Sequence, residues 1–349
     1  MVEYTHTHTH TGNFSEQNKS LNILKCLSAF AVICIHCSLQ SSGRVGIIID
    51  ALIRFAVPVF FLISGYYSYF TNNNISLQKY KKRAIRLIIL IIVSNLTYFI
   101  FDIIINKTIL TNEILIKKFN VKSIFNFLIL NVSLTSGHLW FLNSLLYCYI
   151  IYIIMSKLEI NHKKLYKYIP ILLISNIMIG EILYTMRIYT LSMYYRNFLF
   201  TGLPFFTLGY LIHDKQEKIN NKVSNKMILI TIILSCILIV IERLATGKIE
   251  LFIGTIFLSI SLFVWCILNP SKLNLKILGW IGKNLYTYIY IIQGIVIELL
   301  REYQKNMRLE NSKVCYINTV IVFVVTVLIS IIIYIITKTI YRLKNKIKK

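Results

Sequence analysis

Acidic residues are scarce in this chain: 14 Asp and Glu stand against 38 Lys and Arg in 349 residues. Charge of either sign makes up 15% of the sequence, where a soluble globular domain carries about 25%. No polar stretch outruns the N-terminal tail of roughly 20 residues, which leaves no room for a soluble domain. No cleavable leader is expected either, since residues 1–20 are polar and show no basic n-region followed by an h-region. The first apolar run is expected to act as its own uncleaved signal. The seven cysteines form no spaced framework, and all but Cys315 lie inside apolar runs. That excludes a disulfide scaffold and a metal centre. Even "CIHC", Cys34 to Cys37, is no ligand cluster, because a helix turns His36 about 160° away from Cys34.

What the chain does have is apolar length. Hydrophobic residues make up 56% of it, and apolar runs of 18 or more residues recur from residue 21 to residue 340. The expected fold is all-α, a polytopic integral membrane helix bundle. Ten spans are read near 21–39, 46–70, 84–105, 138–156, 168–184, 197–213, 227–242, 249–268, 278–300 and 315–337. The apolar segment 123–134 is too short to cross and is read as re-entrant or interfacial. A disordered tail over 1–18, with its "THTHTHTHTG", and a basic tail over 341–349 flank a membrane domain over 19–340.

The formal net charge of +24 does not point to nucleic acid. The basic residues cluster in short loops between apolar runs, as they do in proteins oriented by the positive-inside rule. With both termini cytoplasmic, Lys79 to Arg86, Lys157 to Lys167, Lys215 to Lys226 and the C-terminal lysines fall inside, next to an anionic leaflet. Counting 123–134 as a span would put the lysine-rich 157–167 loop outside and leave the C-terminal lysines outside too.

Five residues carry charge where the bilayer penalises it. Lys25 and His36 lie 11 residues apart in "LNILKCLSAFAVICIH". That spacing is about 20° past three turns and a rise of ~16 Å, so both share one stripe of the first span. Snorkelling explains a lone Lys, and a satisfied core His is common. Two such groups on one stripe imply a cavity instead. Arg54 lies inside "RFAVPVFFLISGYY", with Pro58 able to bend the helix and Ser64–Gly65 offering a small surface for close approach. In "KYKKRAIRL", Arg83 and Arg86 sit three apart on one helix face. Paired guanidiniums suit a phosphorylated ligand, although five cations after a span also make an ordinary inner loop. His138 and Trp140 in "GHLWFL" read as a substrate-facing rim or as interface aromatics.

Taken in order, "LNILKCLSAFAVICIH", "RFAVPVFFLISGYY", "KKRAIRLI", "HLWFL" and "ILGWIGKNLYTYIYIIQ" resemble the acyltransferase family 3 of integral membrane proteins, over about 19–337. Within it the chain is similar to bacterial surface-polysaccharide O-acetyltransferases. The resemblance implies a multi-pass protein of the cell membrane that moves an acyl group, acetyl above all, from cytoplasmic acyl-CoA to a hydroxyl of a surface carbohydrate. It makes His36 the essential base or nucleophile and places Lys25 where the family has arginine. Arg83 and Arg86 match the basic pair, Ser64, Gly65 and Tyr66 match the "SGY" turn, and Gln293 stands where many members end a block in histidine. Acetyl-CoA would sit against Lys25, Arg83 and Arg86, with no metal. Arg54 would stabilise an oxyanion or position the acceptor, and Ser64, Tyr66, His138 and Trp140 would line the acceptor's path. Asp50, Asp102, Glu181 and Glu298 are each deep enough to orient His36. The rival class is a transporter or flippase, for which intramembrane charges also serve. The absence of an internal repeat and the crowding of charge into two spans speak against it. A non-catalytic acceptor-binding or sensing module is the third reading.

Overall fold

A computed structural model describes residues 18–37, 43–71, 73–106, 120–183, 186, 192–306 and 314–347. Every regular element among them is helical. The His/Thr-rich tail lies outside the described residues.

Among the described residues, seven helices are long and apolar enough to cross a bilayer. They are α1 (Lys19–His36), α2 (Gly43–Tyr66), α3 (Asn73–Asn106), α5 (Gly137–Lys157), α6 (His162–Ile182), α8 (Asn225–Thr246) and α12 (Val314–Ile347). The other three expected spans are helical but interrupted, short or charged. Residues 197–213 open with a π turn, Phe198–Gly202, before α7 (Leu203–Asp214). The helix α9 (Ile253–Leu268) has 16 residues, about 24 Å against a hydrocarbon core of ~30 Å. The run 278–300 breaks at Leu285 into α10 (Lys276–Asn284) and α11 (Tyr286–Asn306). Its second part carries Glu298, Arg301, Glu302 and Lys305. The helix α4 (Val121–Leu130) has ten residues and buries none of them, in keeping with a segment too short to cross. The basic C-terminal residues continue α12 as far as Ile347.

The most buried of these spans, α1, packs against α2, α9, α10, α11 and α12. Its start is fixed by polar ties that apolar packing could not supply. Asn18 caps the helix by accepting from the Leu21 amide (2.7 Å) and donates to the Cys266 carbonyl (3.0 Å). By contrast α3, α8 and α12 turn rows of isoleucine and valine outward, among them Ile85, Ile89, Ile92 and Val93. A helix apolar on its exposed face is a lipid-facing helix.

Two features position the site. Pro58 has no N–H for the Arg54 carbonyl, and α2 tightens into a 3₁₀ turn over Ile53–Phe55. That turn buries Arg54. Further along, a Cβ on Gly65 would collide with the Phe206 carbonyl, and one on Gly209 with the Leu62 carbonyl. The helices α2 and α7 therefore touch backbone to backbone, as small residues permit in membranes.

Candidate active site

Two cavities open at opposite ends of α1. The larger, about 590 Å³, is lined by Lys25, Lys79, Arg83 and Arg86 with Tyr67 and Tyr286, and no acidic residue is among its lining residues. Its size is that of a ligand site. The Lys25 ammonium is buried, 5.7 Å from the Tyr67 ring centroid and 5.6 Å from that of Tyr286. The Asn22 side-chain oxygen is 3.4 Å away. Lys79 lies 4.2 Å from the Phe70 ring centroid.

The basic pair divides its work. Arg83 donates to the Ser68 hydroxyl (2.7 Å) and to the Tyr67 carbonyl (2.8 Å), and so ties α3 to the end of α2. Arg86 has no hydrogen-bond or ion-pair partner among the described residues. A bidentate grip by both guanidiniums is therefore not prepared. Arg83 shapes the wall, and Arg86 offers its fork freely.

At the other end lies a slot of about 60 Å³, lined by His36, Arg54, Trp140, Asn176, Arg196 and Glu250 among others. Its charges neutralise one another in a chain. Arg54 is paired with Asp50 and with Glu250, at 3.0 Å each, and Arg196 is 3.6 Å from the other Glu250 oxygen. Arg196 also lies 5.5 Å from the Trp140 ring centroid. Glu250 belongs to the loop between α8 and α9. Burial works against its charge, but Arg54 and Arg196 together outweigh burial and hold the carboxyl below the usual carboxylate range.

His36 faces this slot with neither ring nitrogen hydrogen-bonded among the described residues. Its backbone carbonyl accepts from Arg301 (2.9 Å), which also pairs with Glu298 (3.5 Å). Behind it the His138 ring stands edge-on at 5.7 Å. His138 is fully engaged. The Tyr98 hydroxyl donates to the Ile291 carbonyl (2.6 Å), so its oxygen must accept from His138 Nε2 at 3.2 Å. The Ser136 hydroxyl then donates to Nδ1 (2.8 Å). The tautomer follows from these partners, and the Tyr290 hydroxyl donates to the His138 carbonyl.

The structure brings together only some of the expected residues. His36, Arg54 and Trp140 share the slot, and Lys25, Arg83, Arg86 and Ser64 share the basic cavity. His138 is a buried wall behind His36 rather than an exposed rim. Ser64 donates to the Phe60 carbonyl (2.8 Å) at the far end from His36. Tyr66 lines neither cavity: its hydroxyl donates to the Gln216 side-chain oxygen (2.8 Å) and its ring packs on His213. The neighbouring Tyr67 takes the cavity wall instead. Gln293 is fully buried, and both ends of its amide lack a partner among the described residues.

None of the four carboxylates expected to orient His36 lines the slot. Asp50 is consumed by Arg54, and Glu250 is the carboxylate that lies there. Asn176, Arg196 and Glu250 were not legible in the sequence. Arg196 looks like an ordinary loop charge and Glu250 like the edge of the expected span 249–268 until folding converges them.

The fold is that of a multi-pass helical membrane protein, with a basic cavity at one end of its central helix and a histidine slot at the other. The chain belongs to acyltransferase family 3: the family's acyltransferase-domain model matches residues 18–337, nearly the whole chain. It is a membrane acyltransferase. No curated protein and no solved structure matches it.

Proposed function

We propose that the protein is an O-acetyltransferase of the cell membrane, with ten spans and both termini cytoplasmic, that takes acetyl from cytoplasmic acetyl-CoA. The observation that carries this is the basic cavity, four cations without a carboxylate beside them. Of these Lys25 is buried without a counter-charge, which costs free energy, and a polyphosphate is the counter-charge the four suit. Arg86 and Lys79 would meet the phosphates, and Lys25 the groups that follow. The residues fit an acyl-CoA on charge.

His36 would then work at the other end of α1. Its free nitrogen takes the proton of an acceptor hydroxyl as the oxygen attacks the thioester carbonyl. The carbon–sulfur bond breaks, and the sulfur leaves with that proton. Arg54 is held by two carboxylates, which makes Arg196 the looser donor for the developing oxyanion. Trp140 and Arg196 face the incoming acceptor, a hydroxyl of a surface carbohydrate. The fixed tautomer of His138 leaves it to position His36 through ring contact, without a proton to exchange. His36 as a transient acyl carrier needs the same free nitrogen.

The test is acetyl transfer, or thioester hydrolysis, by the purified protein, with His36→Ala beside it. Turnover in the wild type that vanishes in a folded His36→Ala supports the assignment. Absence of acetyl-CoA binding with Arg86 and Lys25 intact would sink the donor assignment and bring the transporter forward, whose mark is uptake driven by a pH gradient.

A further inference from the structure

One group in the slot wall has no role in the chemistry above. Asn176, on α6, is 1% exposed and lines the slot with His36, Arg196 and Glu250. Its amide nitrogen donates to the carbonyls of Tyr195 (3.1 Å) and Phe200 (3.0 Å) and to the Thr201 hydroxyl (2.9 Å). Three acceptors around one NH₂ decide which end of the amide is nitrogen, since an oxygen there would face two carbonyl lone pairs. The Thr201 hydroxyl spends its hydrogen on the Tyr195 carbonyl (2.8 Å) and has none to return. Asn176 Oδ1 is thus buried with no donor among the described residues. Buried acceptors almost always have a donor, and those that lack one call for an explanation.

We propose that Asn176 recognises the acyl acceptor: its Oδ1 receives a hydrogen bond from a neutral hydroxyl of the substrate that enters the slot. This rests on the acyl-transfer reading and gives it an acceptor-recognising residue. Four side chains of the slot can bond in one sense only. Asn176 Oδ1 and Glu250 only accept, and Arg54 and Arg196 only donate. The Arg54 fork is already taken by Asp50 and Glu250. A ligand that satisfies this wall offers a hydroxyl hydrogen to Asn176 and an oxygen lone pair toward Arg196, which is the pattern of a neutral polyol. A carboxylate or phosphate oxygen would set a lone pair against Oδ1 and a negative charge against Glu250. A slot of about 60 Å³ holds a few waters' worth of ligand, so one hydroxyl-bearing arm enters and the rest of the acceptor stays outside.

The experiment uses the full chain in liposomes with methyl α-D-glucopyranoside and its four monodeoxy analogues as probes. Acetyl transfer from acetyl-CoA is one readout. The other is tryptophan emission in a chain that keeps Trp140 and has Trp265→Phe and Trp280→Phe. The expected result is saturable binding of the glucoside, with one deoxy analogue weaker by about tenfold or more, the scale of one buried hydrogen bond. In Asn176→Ala that selectivity disappears and the acceptor KM rises, while the acetyl-CoA KM stays put. Asn176 also ties three neighbours together, so Asn176→Ser, which keeps a donor on that side, serves where Asn176→Ala does not fold. The wild type's own ranking of the five probes needs no variant at all. Selective binding without transfer would keep Asn176 as a polyol site and overturn the acyl-transfer reading. Transfer that ranks all five probes alike would overturn the Asn176 assignment and keep acyl transfer. Neither binding nor transfer of any probe would overturn the inference.

Discussion

The two ends of α1 handle buried charge in opposite ways. Around Lys25 four cations line one cavity with no carboxylate among its lining residues, and Lys25 itself lies beside two aromatic rings. Around His36 two guanidiniums and two carboxylates form a closed chain from Asp50 to Arg196. The first end is incomplete without an anion, and the second is electrically complete without a ligand. Removing a charge should therefore have opposite consequences at the two ends: at the slot it strands a partner, at the basic cavity it relieves a cost.

The largest effect should come from His36→Ala. Loss of the base should lower acetyl transfer by about 10²–10⁴-fold, with a melting temperature close to wild type because no ring hydrogen bond is lost. Transfer at the wild-type rate would remove His36 from the chemistry. Next is Arg54→Met, which strands Asp50, a side chain 1% exposed. Breaking a buried pair from one side costs roughly 3–5 kcal/mol, so denaturation should shift clearly downward. An unshifted transition would show that the charge chain is not structural.

Lys25→Met sharpens the contrast. It should raise the melting temperature and at the same time raise the acetyl-CoA KM about tenfold, the worth of one charge-assisted contact. A fall in stability would mean that Lys25 is already satisfied. Arg86→Ala should weaken acetyl-CoA with little change in stability, and its effect should shrink as salt screens the phosphates. The smallest effect concerns pH. Glu250 is held below its ordinary value, near 4.3 in an unfolded chain. Its contribution is present above that value and is lost as pH falls through the depressed folded one. Wild type and Glu250→Gln should therefore differ in melting temperature at neutral pH and converge in strong acid. Convergence already near neutrality would contradict the depressed value.

Much of the basic cavity could be read before folding, because its residues announce themselves locally. Lys25 is conspicuous in an apolar run, and Arg83 and Arg86 are neighbours on one helix face. The stripe from Lys25 to His36 is simple helix geometry, and it did place one residue at each cavity. The slot was less legible. Arg54 was visible, yet its partners Asp50 and Glu250 come from the same helix and from 196 residues away. Trp140 arrives from α5, and Asn176 gains meaning only when Tyr195, Phe200 and Thr201 occupy its nitrogen. The expected acceptor path of Ser64, Tyr66, His138 and Trp140 dispersed for a related reason, with only Trp140 reaching the slot. A residue's type fixes what it can bond, and only packing fixes what it meets.

What the sequence by itself determined is the all-helical membrane character, the family and the polarity of α1, with Lys25 near one end and His36 at the other. Apolar run length and helical periodicity are properties of neighbours in the chain, so they survive without a fold. What only the tertiary structure decided is which cations remain unpaired, which nitrogen of His138 bears the proton, and which carboxylate enters the slot. Those depend on distances between helices far apart in sequence, where electrostatics and hydrogen bonding act over a few ångströms and no local pattern records them.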